Sequence, residues 1–204
     1  MSYKHTYPLI VIILGTLITL QACQPRNARQ ENAQDALQTI LSRTSIRSYE
    51  QRPVETEKVD NLLRAAMAAP TAVNAQPWHF VVVTQQETLQ ALSECNPYAG
   101  FMAQAPLVIV VCGDTTKMLP ETGREFWIQD ASAASENILL AAQAQGLGAV
   151  WTALYPMEDR CEAARQALEL PHHLIPLNAI VIGYPAEQPQ PKDKFKQENI
   201  TYIN

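Results

Sequence analysis

The sequence contains few cysteines and histidines, and neither residue type is clustered in the way that a metal site requires. Four cysteines and four histidines occur among 204 residues, and no two cysteines form a CxxC pair. The spacing of Cys95, Cys112 and Cys161 is not that of a metal site, and their odd number leaves at least one thiol free or paired between chains. We interpret Cys112 as a small core residue and the histidines as structural or surface residues. The sequence therefore argues against a metalloprotein.

Runs of basic charge are also absent. The formal net charge is −5, and all twenty carboxylates follow the first thirty residues. No ladder of basic and aromatic residues favours nucleic-acid binding. The chain also lacks a Ser/His/Asp set or a pair of carboxylates spaced for acid–base work, so side-chain nucleophilic catalysis is not indicated.

The N-terminal segment indicates where the protein works. Residues 9–20 are uncharged and mostly apolar, shorter than the about 20 residues of a membrane span but typical of a signal peptide. The following Leu20-Gln-Ala-Cys23 resembles a bacterial lipobox. We predict a signal peptide at 1–22, a lipidated Cys23 with a tether to residue 32, and a domain at 33–204. An uncleaved membrane anchor is the alternative. Both place the domain outside the cytoplasm, facing the periplasm or the cell exterior.

The remaining chain alternates helical and strand patterns and is long enough for one core. The helix predicted at 128–145 carries one charge after Asp130, at Glu136. Such a helix is buried nearly all round, and we expect a sheet to cover one face and a second subunit the other. The other predicted helices are 33–42, 56–67 with Thr56 as N-cap, 84–93 and 157–168; the predicted strands are 80–84, 107–112, 149–153 and 178–182.

Two polar segments stand out. Arg43-Thr-Ser-Ile-Arg47 follows the first helix, and guanidinium groups suit bidentate binding of phosphate. The loop from Pro70 to Trp78 carries Asn74 and Gln76, whose amides match the donors and acceptors of a planar heterocycle. Together they predict one site that binds a phosphate and an aromatic ring. Taken singly, the first segment is better explained as a solvated basic helix end and the second as an ordinary loop whose Trp packs in the core.

These segments belong to a series of five ordered blocks. The blocks are Arg43-x-Ser-x-Arg47, Pro70-x-x-x-Asn-x-Gln-Pro-Trp78, Gln129-Asp130, Gly146-Leu-Gly-Ala-Val-Trp151 and Ile182-Gly-Tyr-Pro185. The series resembles the nitroreductase family of FMN-dependent oxidoreductases, and the resemblance covers roughly residues 33–195. It implies an α+β fold with a central mixed sheet flanked by helices, and an intertwined homodimer with FMN at the subunit interface. A C-terminal extension from about residue 185 would wrap the partner.

The resemblance also assigns residues to the cofactor. Arg47 would supply the cation that stabilises the reduced flavin, while the backbone at Ala153 and Leu154 would lie near flavin N5. Lys192 and Lys194 match a basic phosphate contact, although with Lys196 they equally form a solvated charged tail. The implied cofactor-binding residues are Arg43, Thr44, Ser45 and Arg47 of one chain, Thr71, Ala72 and Asn74 of the partner chain, and Gln129, Ala153, Leu154, Lys192 and Lys194.

The implied activity is ping-pong reduction of small acceptors such as nitroaromatics, quinones or enones, with no catalytic side chain. Tyr98, Phe101 and Phe126 are candidates for an aromatic lid over the acceptor, or for core residues. The electron donor is open between NAD(P)H and another reductant, because export would separate the protein from the NAD(P)H of the cytoplasm. Two alternatives stay open: an exported flavin-binding protein with little turnover, and a flavin-dependent reductive dehalogenase.

Overall fold

The computed structural model describes residues 35–203. The predicted signal peptide, Cys23 and the tether lie outside the described residues. Among residues 35–203, no helix combines the length and the apolar character that crossing a bilayer requires.

Five helices and four strands follow one another in the predicted order. Thr56 is the first residue of its helix rather than the N-cap; Glu55 holds the cap position and makes no side-chain cap hydrogen bond. The helices are α1 (35–42), α2 (Thr56–Met67), α3 (Gln86–Glu94), α4 (Phe126–Ala144) and α5 (Glu158–Ala167), and the strands are β1 (Trp78–Val83), β2 (Leu107–Asp114), β3 (Gly148–Ala153) and β4 (Leu174–Gly183).

The four strands form one sheet in the order β1-β2-β4-β3, and every pairing between them is antiparallel. The predicted mixed character is therefore wrong for these strands. Within residues 35–203 the parallel pairing is confined to an isolated bridge between Ser45 and Ala149. Alternation of helices and strands reveals the order of elements but not the direction in which each strand returns. The α+β class itself is confirmed.

Two cores lie on opposite faces of the sheet. One contains Leu89 and Leu92 of α3, and the other contains Leu62 of α2 and Ile138 of α4. Every residue of β2 is buried, as its continuous apolar run predicts for a central strand. Cys112 lies in this strand, and burial raises the pKa of its thiol to about 12.

Helix α4 is less completely buried than predicted: eight of its 19 residues are buried and seven are half-buried. Its exposed residues are Phe126, Gln129, Glu136 and Ala144. Besides the sheet, α2 of the same chain packs on α4; for example, the Asn137 amide donates to the Ala65 carbonyl at 2.9 Å. Burial of α4 alone therefore does not demand a second subunit.

The C-terminal extension leaves the body of the molecule after β4. Residues 188–203 are all exposed, and they contain one short turn of 3₁₀ helix at Gln197–Asn199. Phe195 and Tyr202 are each 71% exposed and Ile203 is 95% exposed. Helix α1 also presents apolar side chains to solvent, with Leu41 64% exposed.

Candidate functional site

The segment that carries Arg43 and Arg47 is fixed against the free edge of β3. The Ile46 N–H donates to the Ala149 carbonyl at 3.1 Å. The two backbones approach so closely that a Cβ at Gly148 would lie 2.7 Å from the Ile46 side chain. Glycine at 148 therefore permits the contact that places the two arginines.

Tyr49 fixes the C-terminal end of the same segment. Its hydroxyl lies 2.5 Å from the Ile46 carbonyl and 3.1 Å from the Val181 carbonyl, both of them acceptors. Burial raises the pKa of Tyr49, so the hydroxyl stays protonated and donates. Gly183 makes room for this ring, because a Cβ there would lie 2.9 Å from it.

Glu187 clamps the backbone of Arg47 from the C-terminal side. Its Oε1 accepts the N–H of Arg47 at 2.6 Å and the N–H of Ser48 at 3.1 Å. The Ala186 N–H donates to the Ser48 carbonyl at 3.0 Å in the same short ladder. Sequence reasoning missed Glu187, since a carboxylate that accepts distant backbone N–H groups leaves no local pattern.

A cavity of about 940 Å³ opens beside this segment. It brings together four cationic residues, one carboxylate and two hydroxyls, so its charge favours an anion. The Arg43 side chain is 19% exposed, and its Nε lies 3.7 Å from Glu136 Oε1. The cavity is lined by Arg43, Thr44, Ser45, Arg47, Lys192 and Lys194, together with Ile40, Leu41, Pro189, Gln190, Pro191, Asp193 and Phe195.

The structure thus places six of the predicted cofactor-binding residues, Arg43, Thr44, Ser45, Arg47, Lys192 and Lys194, around one cavity. The sequence separates Arg47 from Lys192 by more than a hundred residues, and the tail brings them together. Their individual roles toward a cofactor stay predictions.

The second half of the predicted site lies elsewhere on the chain. Asn74 lines a cavity of about 590 Å³ with Gln76, Trp78 and Lys117 among its neighbours. This cavity and the cationic one share no residue. One chain alone therefore does not unite the two halves.

Gln129 and Asp130 lie at the start of α4 beside that loop. Gln129 is exposed and lines neither cavity. Asp130 is 7% exposed, and its Oδ1 accepts the Ala72 N–H at 3.0 Å. The Gln129-Asp130 block is thus joined to the loop from Pro70 to Trp78 through the Asp130 carboxylate. The sequence alone did not indicate this role for Asp130.

Ala153 and Leu154 end β3 and differ in exposure. Ala153 is exposed, whereas Leu154 is 2% exposed and its N–H donates to the Leu177 carbonyl at 3.1 Å. Ala153 is therefore the member of the pair that faces outward. Asn96, another residue missed from sequence, donates its side-chain amide to the Ala153 carbonyl at 3.2 Å and accepts the Tyr98 N–H at 3.0 Å.

The three candidate lid residues have different environments. Tyr98 is 82% exposed and Phe126 is 43% exposed, while Phe101 packs partly buried against the core. The structure does not gather them around one of the two cavities. The core alternative holds for Phe101, and the Asn96 contact places Tyr98 near the end of β3.

Metal chemistry finds no support in the part of the chain that the structure describes. No group of three or more His, Cys, Asp or Glu side chains there has the arrangement of a metal site. Burial, together with Asp159 and Glu158, raises the pKa of Cys161 to about 11, so this thiol is protonated at neutral pH.

The cationic, hydroxyl-lined cavity at the sheet edge of this α+β sandwich carries the donors that suit a phosphorylated cofactor. The chain belongs to the nitroreductase family, whose family model matches residues 40–96 and 90–184. It is an oxidoreductase, and its cofactor is FMN.

Relatives and solved structures agree with this assignment. A Methanothermobacter thermautotrophicus protein, provisionally named NADH dehydrogenase/NAD(P)H nitroreductase, is 47% identical over 81% of this chain and 85% of its own length. A crystal structure of a protein with the same provisional name, from Parabacteroides distasonis, is 47% identical with a TM-score of 0.78, covering 83% of this chain and 98% of that one. An FMN-dependent nitroreductase from Clostridium difficile is 30% identical with a TM-score of 0.75, covering 82% and 99% respectively.

The donor set of the cationic cavity fits FMN. Arginine and lysine side chains match a phosphate dianion, and the Thr44 and Ser45 hydroxyls match the polyol that links phosphate to ring. In the described residues the Arg47 side chain makes no ion pair, which leaves its guanidinium available to a ligand.

Proposed function

We propose that this protein is an FMN-dependent oxidoreductase that reduces small acceptors such as nitroaromatics, quinones or enones in a ping-pong cycle. The observation that carries the proposal is the cationic cavity, where Arg43, Arg47, Lys192 and Lys194 converge from both ends of the chain. When bound, FMN supplies the redox chemistry by accepting a hydride at N5 and releasing electrons to the acceptor.

The residues of the cavity have distinct proposed tasks. Arg43, Lys192 and Lys194 bind the phosphate, while Thr44 and Ser45 donate hydrogen bonds to the polyol. Arg47 provides a cation near the ring edge where negative charge accumulates on reduction. Glu187 holds the Arg47 backbone in place, so the point from which this side chain extends does not depend on the ligand.

We propose that the complete site forms in a homodimer, where Thr71, Ala72 and Asn74 of the second subunit approach the ring. Two observations support this. The loop and the cationic segment line separate cavities of one chain. Apolar side chains of α1 and the tail, among them Leu41, Phe195 and Ile203, are exposed in a single chain and would gain cover from a partner.

Ala153 is the proposed backbone contact near the reactive part of the ring. The Asn96 amide fixes its carbonyl and, through the Tyr98 N–H, the loop that carries Tyr98. Gln129 is exposed at the start of α4 and remains a candidate polar contact to the ring. Tyr98 and Phe126 remain candidates for the aromatic lid, and Phe126→Ala should change acceptor preference without loss of FMN.

We also propose that the chain is an exported lipoprotein attached to a membrane through Cys23. The support is the segment of residues 9–20 followed by Leu20-Gln-Ala-Cys23. Mass spectrometry should find a diacylated N-terminus at Cys23, and Cys23→Ser should abolish it. An unmodified N-terminus in a cytoplasmic fraction would contradict export and restore NAD(P)H as the expected donor.

Anaerobic reduction of the purified protein by a dye donor, followed by reoxidation with a panel of acceptors, tests the proposed activity. Rapid reoxidation by nitroaromatics, quinones or enones is the expected result. If no acceptor reoxidises the bound reduced flavin faster than it reoxidises free reduced FMN, the protein is a flavin-binding protein with little turnover. Halide release from halogenated phenols, with slow reoxidation by the other acceptors, would identify a reductive dehalogenase.

A further inference from the structure

The loop before β1 has an unusual backbone conformation. Val73, Asn74 and Gln76 have φ values of 46°, 59° and 49°. Positive φ is uncommon outside glycine, and a β-branched residue such as Val73 adopts it only where the surroundings enforce it. Val73 is also 82% exposed, so packing of its own side chain does not explain the conformation.

Most hydrogen bonds of the loop are internal. The Asn74 N–H donates to the Thr71 carbonyl at 3.1 Å, and the Gln76 N–H donates to Thr71 Oγ1 at 3.2 Å. The Gln76 side-chain amide donates to Asn74 Oδ1 at 3.0 Å. These bonds define the shape of the loop but do not fix its position on the body of the protein.

Asp130 fixes the N-terminal half of the loop, where its Oδ1 accepts the Ala72 N–H at 3.0 Å. The other hydrogen bonds that the described residues make from the strands to this loop lie at its C-terminal end. There the Trp78 N–H donates to the Gln76 carbonyl at 2.8 Å and the Asp114 N–H donates to the Pro77 carbonyl at 3.0 Å.

The Asp130 side chain is 7% exposed and makes no ion pair among the described residues. Burial of a carboxylate destabilises the fold unless the carboxylate is hydrogen-bonded. The hydrogen bond from the Ala72 N–H offsets part of that free-energy cost.

We propose that Asp130 is a positioning residue for the cofactor site. Its carboxylate holds the Ala72 backbone, and with it the strained Thr71–Gln76 loop, in the place where the loop meets the FMN of the second subunit. This inference rests on the proposed function and adds a residue that does not itself touch the cofactor. Because the partner is a neutral backbone N–H, an uncharged acceptor oxygen can replace the carboxylate and form a weaker hydrogen bond in the same place.

Two substitutions separate positioning from general stability. Asp130→Ala removes the acceptor, whereas Asp130→Asn keeps one through its amide oxygen. Ser135→Ala is the matched control: Ser135 is buried on the same helix and bonds Asn178 at 2.8 Å, so its loss should lower stability without touching the loop.

The test measures FMN affinity and visible circular dichroism of the bound flavin, together with hydrogen exchange of peptides spanning 68–80 in the apoprotein. Asp130→Ala should weaken FMN binding at least tenfold and speed exchange at Ala72. Asp130→Asn should stay within about threefold of the wild-type FMN affinity, because its amide oxygen still accepts the Ala72 N–H. Ser135→Ala should leave all three readouts at wild-type values.

Wild-type FMN affinity and spectrum in Asp130→Ala would overturn the inference while leaving the proposed function intact. An Asp130→Asn protein as impaired as Asp130→Ala would also overturn it, because charge and not acceptance would then matter. A wild-type protein that binds no FMN would overturn the proposed function and this inference together.

Discussion

The side chain of Ile46 lies directly against the Cα of Gly148, and a Cβ at 148 would come within 2.7 Å of it. This contact seats the cationic segment on the edge of β3, next to the Ile46–Ala149 hydrogen bond. Gly148 therefore helps to position the segment that carries Arg43 and Arg47. The position of Arg43 and Arg47 depends on the absence of a side chain at 148.

Gly148→Ala should displace the cationic segment. The overlap involves the branched Cβ of Ile46, which has little freedom to move, and overpacking of this kind costs about 1–3 kcal/mol. For a domain of this size each kcal/mol lowers the Tm by roughly 2–4 °C. Calorimetry and FMN titration should show both a lower Tm and weaker binding.

Gly100→Ala is the matched control, because a Cβ at Gly100 has nothing within 4 Å. It should leave the Tm and FMN affinity close to wild type. Equal behaviour of the two alanine variants would show that the Ile46 contact does not position the site.

Replacing Glu187 tests the clamp on Arg47. Glu187→Ala leaves the Arg47 and Ser48 N–H groups without their protein acceptor, so the backbone that carries Arg47 should be held less firmly and FMN should bind several-fold more weakly. Glu187→Gln keeps an acceptor oxygen and should be intermediate. Glu198→Ala, in the exposed part of the same tail, is the control and should bind FMN normally; an effect equal to that of Glu187→Ala would indicate a general charge effect.

The contact between Tyr184 and Glu55 predicts a pH dependence. The Tyr184 hydroxyl donates to Glu55 Oε2 at 2.7 Å, and this bond, with help from Arg52, lowers the pKa of Glu55 from 4.5 to about 2. Because the folded-state pKa is depressed, the contact stabilises the fold above about pH 4.5 and its contribution is lost as the pH falls toward 2. Tyr184→Phe should raise the Glu55 pKa toward its ordinary value.

Titration of the Glu55 side-chain carbon by NMR measures this directly. Tyr202→Phe removes a hydroxyl from the exposed tail and should leave the titration unchanged. A wild-type Glu55 that titrates near 4.5 would show that the Tyr184 hydrogen bond is not formed in solution.

Sequence patterns predicted the order and approximate bounds of the helices and strands. The apolar run in β2 and the nearly uncharged α4 carried enough information, because burial on both faces of a strand, or over most of a helix, removes charged residues from the sequence. Strand direction was not recoverable, and the sheet is antiparallel rather than mixed among its four strands. Direction depends on how each connecting helix packs, which periodicity does not report.

Six of the predicted cofactor-binding residues line one cavity, whereas the residues that hold the neighbouring backbone in place were missed from the sequence. Arginines, amides and glycines in ordered blocks are visible in a sequence because their types are constrained. Glu187, Asp130 and Asn96 act by bonding backbone groups of distant segments. A backbone N–H or C=O is present at nearly every position, so such a pairing leaves no signature before the fold is known.

The most direct test of the account is FMN binding by the Arg43→Ala/Arg47→Ala double variant. Each arginine should contribute a charge-assisted contact worth roughly 1.5–3 kcal/mol, so the Kd should rise by about 100-fold or more. Arg64→Ala/Arg124→Ala removes the same charge from exposed positions outside the cavity and should bind FMN with wild-type affinity. A double variant of Arg43 and Arg47 that is folded and binds FMN as tightly as this control would contradict the cationic cavity as the cofactor site.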